Sequence, residues 1–138
     1  MRFVDTNVLL YAISTAEDEA PKARTAREIL AADDLSLSVQ VLQEFHVQAT
    51  RATRRDALTL DQSSALVEAW LRFPVQETTV GLMTAALSSS RRFRLSYWDA
   101  AIIEAARALA CEFVLSEDLS HGQDYDGVRV VNPFRMGG

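Results

Sequence analysis

Four acidic residues, Asp5, Glu44, Asp99 and Asp118, share one kind of position: each falls where a strand should end or a helix should begin. Asp5 breaks the apolar opening of the chain. Phe3 and Val4 before it read as a short buried strand, while Thr6 and Asn7 after it can cap a helix carrying Val8, Leu9, Leu10 and Ala12. Asp118 repeats the pattern after the apolar segment Phe113-Val114-Leu115, with Ser116 and Glu117 between. Glu44 lies beside Phe45, one turn into a helix that follows a strand. Asp99 stands three residues after Ser96, at capping-box spacing, among Tyr97, Trp98 and Ile102, which suggests a partly buried carboxylate. Taken singly, Asp5 and Asp99 also read as helix caps and Glu44 as a surface residue. Taken together, they can bring four carboxylates to the carboxyl edge of a sheet, where open α/β folds place their ligands. Converging anions repel and take up protons unless a cation neutralises them. A hard divalent ion, Mg²⁺ or Mn²⁺, suits oxygen ligands and retains waters, one of which can serve as a nucleophile. Thr6 and Ser116, short hydroxyl residues at the same edge, can orient a water or a ligand.

The elements that would position these acids follow from hydrophobic period and turn residues. Glu17, Asp18, Glu19 and Pro21 lead into a helix with Ala23, Ala26, Ile29 and Leu30 on one face, through Ala32. Leu35, Leu37 and Val39 alternate with Ser36 and Ser38 as in a strand, and the spacing predicts a helix over 40–52 with Val41, Leu42, Phe45 and Ala49 aligned. Thr59 and Gln62 have capping-box spacing and open a helix over 60–73, which Pro74 stops. A short strand over 75–78 and a helix over 80–91, with Leu82, Met83, Ala86 and Leu87 facing inward, come next. Ala100, Ile103 and Ala106 give the helix after Ser96 a small, tightly packing face, and Val128 to Val131 form a last strand beyond a loop containing Gly122, Asp124, Asp126 and Gly127. No repeat or linker divides the 138 residues, so a single domain over 1–138 is expected.

Composition narrows the functional classes. Hydrophobic residues at 49% and charged residues at 24% are those of a soluble globular protein, and no apolar stretch approaches the roughly 18 to 20 residues needed to cross a bilayer. Asp5 and Asn7 break the apolar start that a signal peptide would need, and the single Cys111 rules out an internal disulfide or a thiolate metal cluster, so a cytoplasmic location and no membrane partner are expected. A net charge of -5 argues against a broad basic surface for nucleic acid. Local attraction could come from the clusters Arg51, Arg54, Arg55 and Arg91, Arg92, Arg94, since arginine suits phosphate contact; solvated helix ends are the plainer reading of each.

The ordered segments Phe3-Val4-Asp5-Thr6-Asn7, Ser38-Val39-Gln40-Val41-Leu42-Gln43-Glu44-Phe45, Ser96-Tyr97-Trp98-Asp99-Ala100 and Leu115-Ser116-Glu117-Asp118-Leu119 resemble the PIN-domain nucleases, and most closely their VapC-type toxins of bacterial toxin-antitoxin pairs. The resemblance spans essentially the whole chain. It implies an α/β, PIN-like three-layer fold, a central, mainly parallel sheet with helices on both faces. It implies an acidic catalytic pocket of Asp5, Glu44, Asp99 and Asp118, with Asp5 and Asp99 as metal ligands and Asp118 as a third ligand, direct or through water. Thr6, Asn7, Ser116 and Glu117 would support the pocket, Ser116 matching a family position that is often Thr or Ser. It leaves open whether Glu117 or Asp124 helps, and no departure marks a dead site. The activity implied is Mg²⁺- or Mn²⁺-dependent hydrolysis of RNA by an endoribonuclease, with a VapB-like antitoxin as partner and the arginine clusters guiding the RNA backbone. A homodimer is also expected, with Trp70, Leu71 and Phe73 as part of a self-complementary patch.

Other classes fit less well. A phosphotransfer domain also sets Asp at strand ends but needs a lysine at the phosphate, and the single lysine, Lys22, lies far in sequence from any strand end. An RNA-processing PIN nuclease without an antitoxin, and a non-catalytic metal- or RNA-binding module that keeps the acids for structure, remain the alternatives.

Overall fold

Five short segments line up in one direction in a parallel sheet, whose central strands are buried on both faces by helices. The computed structural model describes residues 1–135; the last three positions of the expected 1–138 domain lie outside the described residues. In chain order the elements are β1 (Arg2–Val4), α1 (Thr6–Ala12), α2 (Ala20–Leu30), β2 (Leu35–Ser38), α3 (Val39–Ala49), α4 (Leu60–Trp70), β3 (Val75–Gln76), α5 (Val80–Phe93), α6 (Tyr97–Ala108), β4 (Phe113–Leu115) and β5 (Arg129–Val131). The sheet runs β3-β2-β1-β4-β5, and every strand pair is parallel. From β1 the chain winds outward through β2 and β3, then returns to the other side of β1 with β4. The carboxyl ends of β1 and β4 therefore flank the switch point of the topology, where a crevice opens in folds of this type. The helices pack in two groups, α1 with α2 and α3 and α3 with α4, and α5 with α6, as right-handed crossovers on opposite faces of the sheet require. The fold is the α/β arrangement of a parallel sheet and helices that the resemblance implies.

Parallel pairing buries both faces of the central strands, and this corrects the alternating pattern expected of β2. Leu35, Ser36, Leu37 and Ser38 are all buried, with Ser36 Oγ 2.9 Å from Cys111 Sγ and Ser38 accepting the Val41 N–H at 3.2 Å. That cap starts α3 at Val39, earlier than the periodicity suggests. Phe3, Val4, Leu35, Leu37, Val114, Leu115 and Val130 are the sheet's contribution to one core, which also holds Val8 and Leu9 from α1, Phe45 from α3 and Ile103 from α6.

Two further expectations change. Trp70 and Phe73 are each only 5% exposed, the Trp70 ring standing edge-on to Phe45 at 4.8 Å, so they lie in the core and not on a dimer patch. The patch reading fails because Trp70 ends α4 on the side facing α3, while its neighbour Leu71 points out. On α5 the inward residues are Ala86 and Ser89, whereas Met83 and Leu87 are exposed. Close packing of α5 on the small residues Ala100 and Ala101 of α6 selects the small side of the helix and leaves the bulky side in water. Trp70→Ala should destabilise the protein by about 3 kcal/mol, as large-to-small core changes do. Urea unfolding checks this, and a loss below about 1 kcal/mol accompanied by a change of oligomeric mass would restore Trp70 to an interface.

Candidate active site

Asp5 is the first residue past β1 and the cap of α1, and both roles bring donors to its carboxylate. Oδ1 accepts the Thr6 N–H at 2.8 Å and Oδ2 accepts the Ser116 hydroxyl at 2.8 Å. Ser116 follows β4, next to β1 in the sheet, and its Oγ also accepts the Asn7 amide and the Asp118 N–H, each at 3.1 Å. A serine hydroxyl has one proton and two acceptor sites. With both acceptor sites filled, its proton is directed to Asp5. Asn7 is fixed in turn: its Oδ1 accepts the Glu117 N–H at 3.1 Å, which turns its Nδ2 toward Ser116 and, at 3.3 Å, toward Asp118 Oδ2.

Glu44 arrives from α3. Its Oε2 accepts the Thr6 hydroxyl at 2.8 Å, and its Oε1 accepts Gln40 Nε2 at 3.0 Å, one helical turn away. Gln40 also reaches the Trp98 carbonyl at 3.4 Å, joining α3 to the start of α6. Gln40 was not foreseen, although its spacing of four from Glu44 is a signal that could have found it. Asp99 lies in the first turn of α6, where Ser96 Oγ caps its N–H at 3.1 Å. The cap uses the Asp99 backbone and leaves its carboxylate to the cleft. Asp5, Glu44, Asp99 and Asp118 thus line one cleft of about 110 Å³, together with Gln40 and Trp98.

Their environments differ. Asp5 is 8% exposed, and burial pushes its carboxyl from 3.8 up to about 6, with Asp118 and Glu44 adding repulsion and the Ser116 and Thr6 hydrogen bonds pulling the other way. Glu44 and Asp99 are half-buried and Asp118 is exposed. Trp98, expected to help bury Asp99, is exposed instead.

The Glu117 side chain turns away from the cleft. It accepts the Tyr11 hydroxyl and pairs with Lys22. Burial raises its carboxyl, but the hydrogen bonds from Lys22 and Tyr11 outweigh that and hold it below its ordinary value. Asp124 lies in the loop before β5, within 3.5 Å of Arg129, and is no part of the cleft lining. None of the six clustered arginines lines the acidic cleft. Arg54 borders the adjoining recess with Asn7, Tyr11 and Asp118; its Nε lies 2.8 Å from Asp56 Oδ1 without hydrogen-bond alignment. Arg92 pairs with Asp126 at 3.3 Å, while Arg51, Arg55, Arg91 and Arg94 are exposed. A larger groove of about 680 Å³ between α3 and α4 is apolar and touches none of the four acids.

Among the described residues, no three His, Cys, Asp or Glu side chains converge into a closed metal cage. The donor set nevertheless suits Mg²⁺ or Mn²⁺, since these ions keep several waters and need only one or two direct carboxylates, and the four acids here border an open polar cleft.

A parallel, switch-point crevice lined by acids defines the general class, that of open α/β proteins with a ligand site beyond the strand ends. The chain belongs to the PIN domain family, whose sequence model matches residues 2–123. Its fold is similar to that of a toxin-antitoxin complex from Klebsiella pneumoniae, at 19% identity over 96% of this chain and 98% of that one, with a TM-score of 0.69. It is also similar to VapC20 of Mycobacterium tuberculosis, described as a Sarcin-Ricin loop cleaving toxin, at 20% identity over 86% and 92% of the two chains, TM-score 0.66. A third similar structure is the DNA-bound VapBC of Salmonella typhimurium, at 19% identity over 94% and 95%, TM-score 0.63. No curated protein sequence matches the chain.

The state of Asp5 gives a signed prediction. A carboxyl raised in the folded state contributes stability that is complete below its unfolded value near 3.8 and is lost as pH rises through about 6. In chelator, Asp5→Asn should therefore be more stable than wild type by up to about 3 kcal/mol above pH 7, with the difference vanishing toward pH 4. Urea unfolding across that range measures it; an Asn variant less stable at every pH would place Asp5 in an unstrained site.

Proposed function

We propose that this chain is a metal-dependent endoribonuclease that hydrolyses RNA phosphodiester bonds and serves as the toxin of a toxin-antitoxin pair. The observation that carries the reading is a buried carboxylate, Asp5, raised by desolvation and surrounded by three further acids in one small cleft. Membership of the PIN domain family supports a nuclease. The named toxins and antitoxin complexes among the similar folds support a VapB-like antitoxin partner.

In this reading Asp5 and Asp99, assisted by Asp118, would hold Mg²⁺ or Mn²⁺, which would supply positive charge for the phosphate and a more acidic water. Glu44, held by Thr6 and Gln40, accepts a proton from the attacking water, having lone pairs to spare beyond its two hydrogen bonds. Ser116 and Asn7 keep Asp5 and Asp118 oriented. Exposed Arg51, Arg55, Arg91 and Arg94 attract the backbone, while Arg54 and Arg92 are partly committed to Asp56 and Asp126. Homodimerisation stays part of the proposal. Of the expected patch only Leu71 is exposed, and it borders the groove between α3 and α4.

Asp99→Asn should lower cleavage of single-stranded RNA by more than about 100-fold, a scale that even outer partners of metal sites reach. Circular dichroism should show the fold retained, and chelator should abolish wild-type cleavage. Undiminished cleavage in Asp99→Asn or in chelator would overturn the assignment. Replacing Arg51 and Arg55 by Gln should weaken binding of all RNA sequences alike and flatten the salt slope by about 1 to 2. A slope unchanged in fluorescence-anisotropy titrations would remove these residues from the RNA path.

A further inference from the structure

Trp98 is the most exposed of the aromatic residues. It is 63% exposed, yet it borders the acidic cleft and precedes Asp99 directly. The only other tryptophan, Trp70, is buried. A large indole left in water forgoes the burial that usually fixes such side chains in place. The Tyr97 ring meets it edge-on with centroids 5.0 Å apart and planes at 83°, and the Trp98 backbone carbonyl accepts a hydrogen bond from Gln40, which also holds Glu44. The residue therefore offers a solvent-facing aromatic surface whose backbone is anchored beside the carboxylates.

Its surroundings distinguish what that surface can take. Hot spots for protein partners sit inside well-packed apolar patches that exclude water. The other cleft residues around Trp98 are mostly polar: Gln40, Glu44, Gln48 and Asp99. The exposed apolar residues Val47, Leu71, Met83 and Leu87 belong to α3, α5 and the end of α4, outside the cleft lining. A single aromatic in a polar setting suits a flat π-system with polar edges, and an unpaired base is one. A base within a duplex is already stacked on its neighbours and cannot also lie on the indole.

We propose that Trp98 is a stacking platform for an unpaired base next to the phosphodiester held in the acidic cleft. This rests on the nuclease reading above and adds to it a residue that positions the substrate. The indole binds and orients the chain, and it takes no part in bond breaking.

The test titrates a short, non-cleavable single-stranded RNA analogue, and a duplex of the same sequence, into wild type, Trp98→Phe and Trp98→Ala in the presence of Mg²⁺. Single-stranded RNA should quench the wild-type tryptophan emission. Trp98→Phe should keep its affinity within about threefold but lose the quench. Trp98→Ala should bind about tenfold more weakly, the lower end of what one base-aromatic stack contributes, with the loss in cleavage falling on KM more than on kcat. Binding of the duplex should be the same in all three proteins. Equal single-strand affinity of Trp98→Ala and wild type, or an unquenched wild type that binds RNA, would overturn the proposal while leaving the nuclease reading intact. A change in oligomeric mass on Trp98→Ala with RNA affinity unaltered would assign the indole to a protein contact and also overturn it. A wild type that neither binds nor cleaves RNA would defeat the nuclease reading and this inference together.

Discussion

A carboxylate removed from water at the end of the central strand sets the terms for everything around it. Asp5 has neighbours on both sides, β2 and β4, and helices above and below, so its own environment offers little solvent. An anion in such a place needs donors or a cation. The chain supplies two donors, the Thr6 N–H and the Ser116 hydroxyl, but then sets Glu44 and Asp118 close enough to repel it. Donors alone leave the carboxyl raised to about 6. The divalent ion proposed above would supply the missing countercharge.

The surrounding hydrogen bonds make sense as the means of keeping that cleft open and ordered. Asn7 and Ser116 join the turns after β1 and β4, and Thr6 and Gln40 hold Glu44 from two directions. Farther out, Lys22 and Tyr11 draw Glu117 to the far side of the turn, which keeps a fifth carboxylate out of the cleft. Trp98, exposed at the rim, has its backbone carbonyl tied to Gln40 and its ring edge-on to Tyr97.

The architecture was largely legible because period and punctuation agreed: an apolar segment, a polar turn with a capping residue, then a helix, repeated along the chain. The position of Asp5 was legible for a related reason, since a charged residue inside an apolar run requires an explanation. What escaped depends on contacts between residues remote in sequence. The Lys22 and Glu117 pair joins residues 95 apart. Glu104 reads as the polar face of a helix, yet it is buried against Ser89 and Arg107, which in turn ties down the loop at Tyr125. Trp98 was misplaced, and Trp70 could be read as core or as interface, because residue type alone does not say which side of a helix end faces a neighbouring element. The arginine clusters could be found by eye, but their partners Asp56 and Asp126 could not.

The most direct test is a carbon-detected NMR titration of the Asp5 carboxyl with and without Mg²⁺. The account predicts a midpoint near 6 in chelator, as burial and the neighbouring acids require, and a midpoint below the ordinary carboxylate range once Mg²⁺ is bound. A midpoint that Mg²⁺ does not move would contradict it.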